Sequence, residues 1–116
     1  MNKEKVRSEE SERKVVKIFF ILRDIDVTDM EINFLLRVNE RIEKGVFQST
    51  KEVKELIAEE LGVSVIYVSK MLQKFNDINV LLKVKKGVYK IEDKMRYVLT
   101  WGNLYIRIDG DEFSII

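Results

Sequence analysis

Apolar residues recur along this chain at helical spacing in its first two-thirds and at strand-like spacing thereafter. Residues 1–12 are polar and mixed in charge, and are expected to form a frayed terminus. From Arg13 the chain turns densely apolar, through Val15, Val16, Ile18, Phe19, Phe20, Ile21 and Leu22. Positions 15, 18, 19 and 22 follow the i, i+3, i+4, i+7 spacing of an amphipathic helix. Phe20 and Ile21 lie off that stripe and predict a helix buried on more than one side. The β-branched and aromatic content leaves a strand open as the alternative.

Thr28-Asp29-Met30-Glu31 is a capping box: the Thr28 hydroxyl can accept from the helix, and Glu31 can reach back to the Thr28 amide. The helix it opens carries Ile32, Leu35, Leu36, Val38 and Ile42, and is expected to stop at Gly45 after Lys44. Ser49-Thr50-Lys51-Glu52 reads as a second capping box, starting a helix with Val53, Leu56, Ile57 and Leu61 inward and Gly62 as its stop. Ser64 then caps a helix with Val65, Val68, Met71, Leu72 and Phe75 at helical spacing. Two short β-like runs, 80–85 and 88–91, meet around Gly87. In the first, Leu82 and Val84 alternate with Lys83 and Lys85, predicting one apolar and one basic face. Runs 95–101 and 104–108, separated by Gly102-Asn103, read as a further hairpin, and Asp109-Gly110-Asp111 as a turn before 112–116. With no Pro and five Gly, no linker stands out.

Segment 56–72 carries the most specific signal. In a helix-turn-helix a small residue sits where the helices cross, and Ala58 occupies that place. Four residues later the turn needs a residue tolerant of positive φ, and Gly62 is there. Val63 fills the space between the helices, Ser64 caps the second helix, and Val68 packs it on the first. The β-like runs that follow, with a Gly turn among lysines, read as a wing. The expected fold is therefore α+β: a winged helix-turn-helix of three to four helices and a two-stranded wing over 13–91. Residues 92–116 add a C-terminal β-meander, packed on the same domain or at a dimer interface.

Charge sharpens this picture only when divided along the chain. The net charge is +1, but residues 62–91 hold six Lys against Asp77 alone. Concentrated positive charge is what a phosphate-binding face requires. The chain has no His and no Cys, which removes disulfides, thiol nucleophiles, imidazole bases and ordinary zinc sites. Asp109, Asp111 and Glu112 cluster, but Asp-Gly-Asp is ordinary turn chemistry and lacks calcium-hand spacing. No enzyme activity, metal, cofactor or small-molecule ligand is expected. The longest apolar run, 18–22, is far short of a membrane span of about 20 residues, and a cytoplasmic location is expected.

If the helix from Ser64 enters the major groove, its outward residues Ser64, Ile66, Tyr67, Ser69, Lys70 and Gln73 are the expected base readers. Gln73 could pair with adenine, Lys70 with guanine, and Ile66 could touch a thymine methyl. Thr50 and Lys51 at the start of the preceding helix, Lys74, and the wing residues Lys83, Lys85, Lys86 and Lys90 are the expected backbone contacts. The surface has no Arg, the favoured residue for bidentate guanine reading, which leans toward modest affinity or A·T-rich sites.

Residues 13–91 resemble the winged-helix domains of bacterial regulators, and especially plasmid and phage replication proteins of the RepL type. The resemblance rests on the apolar segment 15–22, the capped helix from Thr28, the helix pair 56–72, and Gly87-Val88-Tyr89-Lys90-Ile91 closing the wing. After the wing Glu92-Asp93 stands where that family often has Asn-Pro. The resemblance implies double-stranded DNA as partner, bound either as a transcriptional regulator or as a replication initiator at an origin. A winged helix used for protein contacts in a phage assembly is the alternative of a different class. Helix-turn-helix proteins commonly bind as dimers, and 15–22 or the tail residues Val98, Trp101, Tyr105, Ile106, Phe113, Ile115 and Ile116 are expected to support a homodimer.

Overall fold

Capping residues and apolar spacing divide the described residues into five helices, a three-stranded antiparallel sheet and a separate hairpin. The computed structural model describes residues 9–102, 106–109 and 112–115, with side chains described for 13–102. The first described helix, α1 (Glu9–Leu22), begins within the segment expected to be frayed. Its inner stripe is Val16, Phe19 and Phe20, all fully buried, whereas Ile18 and Ile21 are 46% and 64% exposed. The stripe is thus rotated from the expected 15, 18, 19, 22, because α1 is set by Phe20 packing toward Phe75 at 6.0 Å.

Helix α2 (Asp29–Glu40) starts as expected: the Thr28 hydroxyl accepts from the Glu31 amide at 3.1 Å, and the Thr28 amide donates to the Glu31 carboxylate at 2.8 Å. It ends early, however, with Arg41 at its C-cap. Lys44 and Gly45, both at positive φ (53° and 81°), form a tight turn instead. Glu43 and Val46 exchange backbone hydrogen bonds across it at 2.9 and 3.1 Å. The consecutive positive φ values match the hairpin turn that suits strand twist. This reversal delivers β1 (Phe47–Gln48), a strand too short to leave a sequence signal, with Phe47 buried.

Helix α3 (Lys51–Leu61) is capped by Thr50, whose hydroxyl accepts from Val53 N at 3.2 Å, so Ser49 is not the cap. Its C-terminus turns at Gly62, at φ 68°, where the Gly62 amide and the Val63 amide return to the Ala58 carbonyl. Helix α4 (Val65–Asp77) starts from the Ser64 cap, and its inner face of Val68, Met71, Leu72 and Phe75 is buried against α3 and the body. Val65, expected inward, is 36% exposed.

Strands β2 (Leu81–Lys85) and β3 (Val88–Ile91) follow, and the sheet order is β1-β3-β2. Phe47 pairs with Tyr89, and Leu81 with Ile91. The element order and this sheet are those of an α+β chain compatible with a winged-helix class.

The tail departs most from expectation. Segment 95–101 is a helix, α5 (Asp93–Trp101), and Gly102 is its left-handed C-cap rather than a hairpin loop. The Glu92 carboxylate caps it by accepting from the Lys94 and Met95 amides, and Met95, Val98 and Leu99 bury one helical face. Residues with β preference on the outside concealed that i, i+3, i+4 pattern. Val98, expected at a dimer surface, is therefore core. In place of a meander, only β4 (Ile106–Asp109) and β5 (Glu112–Ile115) pair, antiparallel, across the expected turn. Tyr105, Ile116 and the side chains of Ile106, Phe113 and Ile115 lie outside the described residues, as do the carboxylates of Asp109, Asp111 and Glu112.

Gly62 has nothing within 4 Å of where a Cβ would stand, so Gly62→Ala tests backbone strain without a clash. The left-handed φ should cost about 1–2 kcal/mol, read as a lower urea midpoint at unchanged slope. A neutral substitution would mean that the turn is not under conformational constraint.

Candidate nucleic-acid interface

The outward surface of α4 begins at Ser64 and runs along one side of the helix because the opposite side is committed to the core. Ile66 is 70% exposed and Tyr67 37% exposed; Lys70 and Gln73 are also exposed, and Ser69 is half-buried. Ser64 uses its hydroxyl oxygen as the helix cap, accepting from Tyr67 N at 3.1 Å. Gln73 donates to the Asp77 carboxylate at 2.7 Å, so any contact to a base would exchange that bond. Ile66 and Lys70 thus carry the most open part of the face.

Lys74 is placed differently from the expected backbone contact. Its ammonium lies 2.8 Å from the Glu31 carboxylate and donates to the Asp26 carbonyl at 3.1 Å. Glu31 is 7% exposed and also accepts from the Thr28 amide. Burial pulls the Glu31 pKa upward, but the Lys74 hydrogen bond, the Thr28 backbone amide and the Lys74 charge together outweigh it and hold the carboxyl below its ordinary value of 4.5. Lys74 therefore clamps the end of α4 to the start of α2.

The wing is anchored to α3 by Ser49. Its amide and its hydroxyl both donate to the Gly87 carbonyl, at 2.8 and 3.0 Å. This brings the turn at Lys86-Gly87 beside Thr50 and Lys51, so two of the expected backbone-contact groups form one neighbourhood. Thr50 and Lys51 are exposed, and the α3 N-terminus there supplies partial positive charge.

The lysines of the wing do not share one face. Lys83 pairs with Tyr89 and Lys85 with Val88, so the register slips by one residue and Val84 is left as a bulge, 55% exposed. Tyr89 and Val88 are adjacent and point to opposite faces, and their partners do the same. Lys85 and Lys90 share the Val88 and Gln48 face, while Lys83 lies on the Tyr89 face. The expected division into one apolar and one basic face does not hold: Leu82 pairs with Lys90 on the Lys85 face, and Lys83 lies on the face of buried Leu81 and Ile91.

Two features of the surface were not singled out from sequence. Gln48 on β1 is exposed on the Lys85 and Lys90 face. Along α3, Glu52, Glu55 and Glu59 are exposed at helical spacing around Leu56, which is itself 52% exposed. Phosphate would be repelled along that side of α3, with Glu52 already in its first turn, so only the very start at Thr50 and Lys51 suits a DNA backbone. The i, i+3, i+7 spacing of these glutamates was legible; its bearing on docking depended on knowing which side of α3 faces outward. An open groove of about 350 Å³ beside Thr50 is likewise lined by Glu40 and Glu43.

Among the described residues no group of three carboxylates is placed to hold a metal ion, and no helix is long and apolar enough to cross a membrane. No family model, no curated protein and no solved structure matches this chain.

The folded pKa of Glu31 lies below its unfolded one, so its contribution is complete above the unfolded pKa and is lost as pH falls through the folded value. Lys74→Met should cost about 1–2 kcal/mol at pH 7, at the lower end for a broken ion pair because Lys74 is partly exposed. The gap to the unsubstituted protein should close as the pH falls below the ordinary value of 4.5 and through the lowered folded one, where both forms hold a protonated Glu31. Urea denaturation across that range measures it; a constant gap would show that the pair is not the source.

Proposed function

We propose that this chain is a sequence-specific double-stranded DNA-binding protein of the winged helix-turn-helix type, with α4 in the major groove and the β2–β3 wing against the backbone. The observation that carries this reading is the outer face of α4. It is exposed from Ser64 onward, held rigidly from behind by Phe75 and Lys74, and joined through β2 to a lysine-bearing wing. A reading helix needs that combination: side chains free to reach base edges on a backbone that does not yield.

Ile66, Tyr67, Ser69 and Lys70 lie where base edges would be met, with Gln73 one turn further along. Ser64, Thr50 and Lys51 present helix starts, where backbone amides attract phosphate. Lys85, Lys86 and Lys90 supply charge from the wing, and Lys83 from its other face. Such a role would keep the protein in the cytoplasm, with the DNA. A transcriptional regulator and a replication initiator would use this same surface, and the location of the bound site, at a promoter or at an origin, distinguishes them.

A second reading, protein contacts, draws on the exposure of Ile66, Leu56 and Val84. Selection of bound duplexes from a random pool, followed by a salt titration, separates the two. DNA binding predicts a recovered motif and a log K that falls linearly with log salt, with a slope of about −4 for four or five lysine contacts per copy. Lys85→Ala should weaken all duplexes alike and reduce that slope by about 1, whereas Lys70→Ala should flatten base preference at one position by about 1–3 kcal/mol. No binding to any duplex at low salt would favour the protein-contact reading, and equal, indiscriminate losses from both substitutions would remove the assigned roles.

A further inference from the structure

We infer that the bound DNA carries a thymine whose C5-methyl group seats on Ile66, so that α4 leads its reading of the site with an apolar contact. The inference rests on the DNA reading and adds to it the base that the first turn of α4 selects.

The outward line of α4 runs through Ile66, Lys70, Gln73 and Asp77, at i, i+4, i+7 and i+11. It stands opposite the buried stripe of Val68, Met71, Leu72 and Phe75, so the helical period puts it at the centre of the exposed face. The far end of this line is already engaged. Gln73 donates to the Asp77 carboxylate at 2.7 Å, and that carboxylate is repelled by the phosphates that border a groove. The near end is led by Ile66, at 70% the most exposed large apolar side chain among the described residues. The hydroxyl groups beside it are less open: Ser64 accepts from the Tyr67 amide as the helix cap at 3.1 Å, and Ser69 is half-buried.

A single exposed isoleucine on a protein surface calls for no explanation. One at the leading end of a helix offered to the major groove does, because the base edges there are otherwise donors and acceptors. Seated on guanine, adenine or cytosine, Ile66 would strip water from such groups and form no bond in exchange. The one apolar group in the ordinary major groove is the thymine C5-methyl.

Lys70 fixes which methyl-bearing base is meant, since 5-methylcytosine carries the same group. It stands about 6 Å beyond Ile66 along the axis. The Cα–Cβ bonds of a helix tilt toward its N-terminus, so Lys70 leans back toward Ile66. An ammonium can only donate. Thymine sets its O4 acceptor beside the methyl, whereas 5-methylcytosine sets an amino donor there. Ile66 followed by Lys70 therefore matches the edge of thymine and opposes that of 5-methylcytosine.

The test uses the full chain and a duplex recovered from the random pool. Each thymine is replaced in turn by deoxyuridine, which keeps the pairing and every hydrogen-bonding group and removes only the methyl. At one position per bound copy binding should weaken about fourfold, as expected for one buried methyl, with no change elsewhere. Ile66→Ala should weaken binding to the thymine duplex by a similar factor and make thymine and deoxyuridine equivalent at that position. Its urea midpoint should match that of the unsubstituted protein, because Ile66 lies outside the core. A 5-methylcytosine·guanine pair at that position should bind more weakly than thymine·adenine. Indifference to deoxyuridine at every position overturns the inference and leaves the DNA reading standing, whereas no binding to any duplex removes both. A thymine preference over deoxyuridine that survives Ile66→Ala, or tighter binding to 5-methylcytosine than to thymine, also overturns it.

Discussion

The ring of Phe75, without solvent exposure, lies nearly parallel to Phe34 at 6.1 Å and tilted against Phe20 at 6.0 Å, so one side chain of α4 is held by α1 and α2 at once. Its carbonyl accepts from Val80 N at 2.9 Å at the point where the chain leaves the helix for β2. Burying an aromatic ring among others favours one packing arrangement over its neighbours, because cores are dense and rings interlock at preferred angles. The rotation of α4 about its own axis follows. With Val68, Met71, Leu72 and Phe75 inward, the helical period turns Ile66 and Lys70 outward, and no further interaction is needed to expose them.

Polar contacts then fix what the aromatic junction leaves adjustable. Lys74 ties the last turn of α4 to Glu31, and the left-handed residue Gly62 sets the direction in which α4 departs from α3. Ser49 holds the wing tip to the start of α3 through the Gly87 carbonyl. Each contact joins a different pair of elements, so the outer face of α4, the β2–β3 hairpin and the first turn of α3 are held as one surface. Charge is sorted by the same arrangement. Acidic residues line the outer side of α3, while Lys70 on α4, Lys51 at the α3 start and the lysines around the wing are exposed beside it.

How much of this was legible in the sequence depends on how far each stabilising contact reaches along the chain. Thr28 with Glu31, Thr50 with Val53, Ser64 with Tyr67 and the left-handed Gly62 act within four residues, and the elements they bound were readable. Ser49 reads as a cap in sequence because its actual partner, Gly87, lies 38 positions away. Strand β1 has two residues and exists only because β3 returns to meet it. Segment 95–101 reads as a strand because Tyr97, Val98, Thr100 and Trp101 favour extended backbone in isolation. Its docking on α1 and α2, anchored by Arg23 to Glu92 across 69 positions and by Arg96 to Asn39 across 57, overrides that preference. The bulge at Val84 belongs to the same class: alternation in one strand cannot report a slip against another.

The candidate interface shows the same dependence on distance, with consequences for its electrostatics. Six lysines against one aspartate between 62 and 91 read as a uniformly basic segment. Lys74 is neutralised by a buried carboxylate 43 positions earlier, and Lys83 is turned to the opposite face of the wing by one bulged residue. The charge offered to a phosphate backbone is therefore smaller and more directional than the count implies: Lys85, Lys86 and Lys90 on the wing, Lys70 on the helix, and Lys51 at a helix start. A surface of few, well-placed ammonium groups binds less tightly than a broad basic patch, because each neutralised phosphate adds its own increment of counterion release. In the proposed DNA-bound role discrimination would come from the geometry of α4, whose position returns to the packing of Phe75.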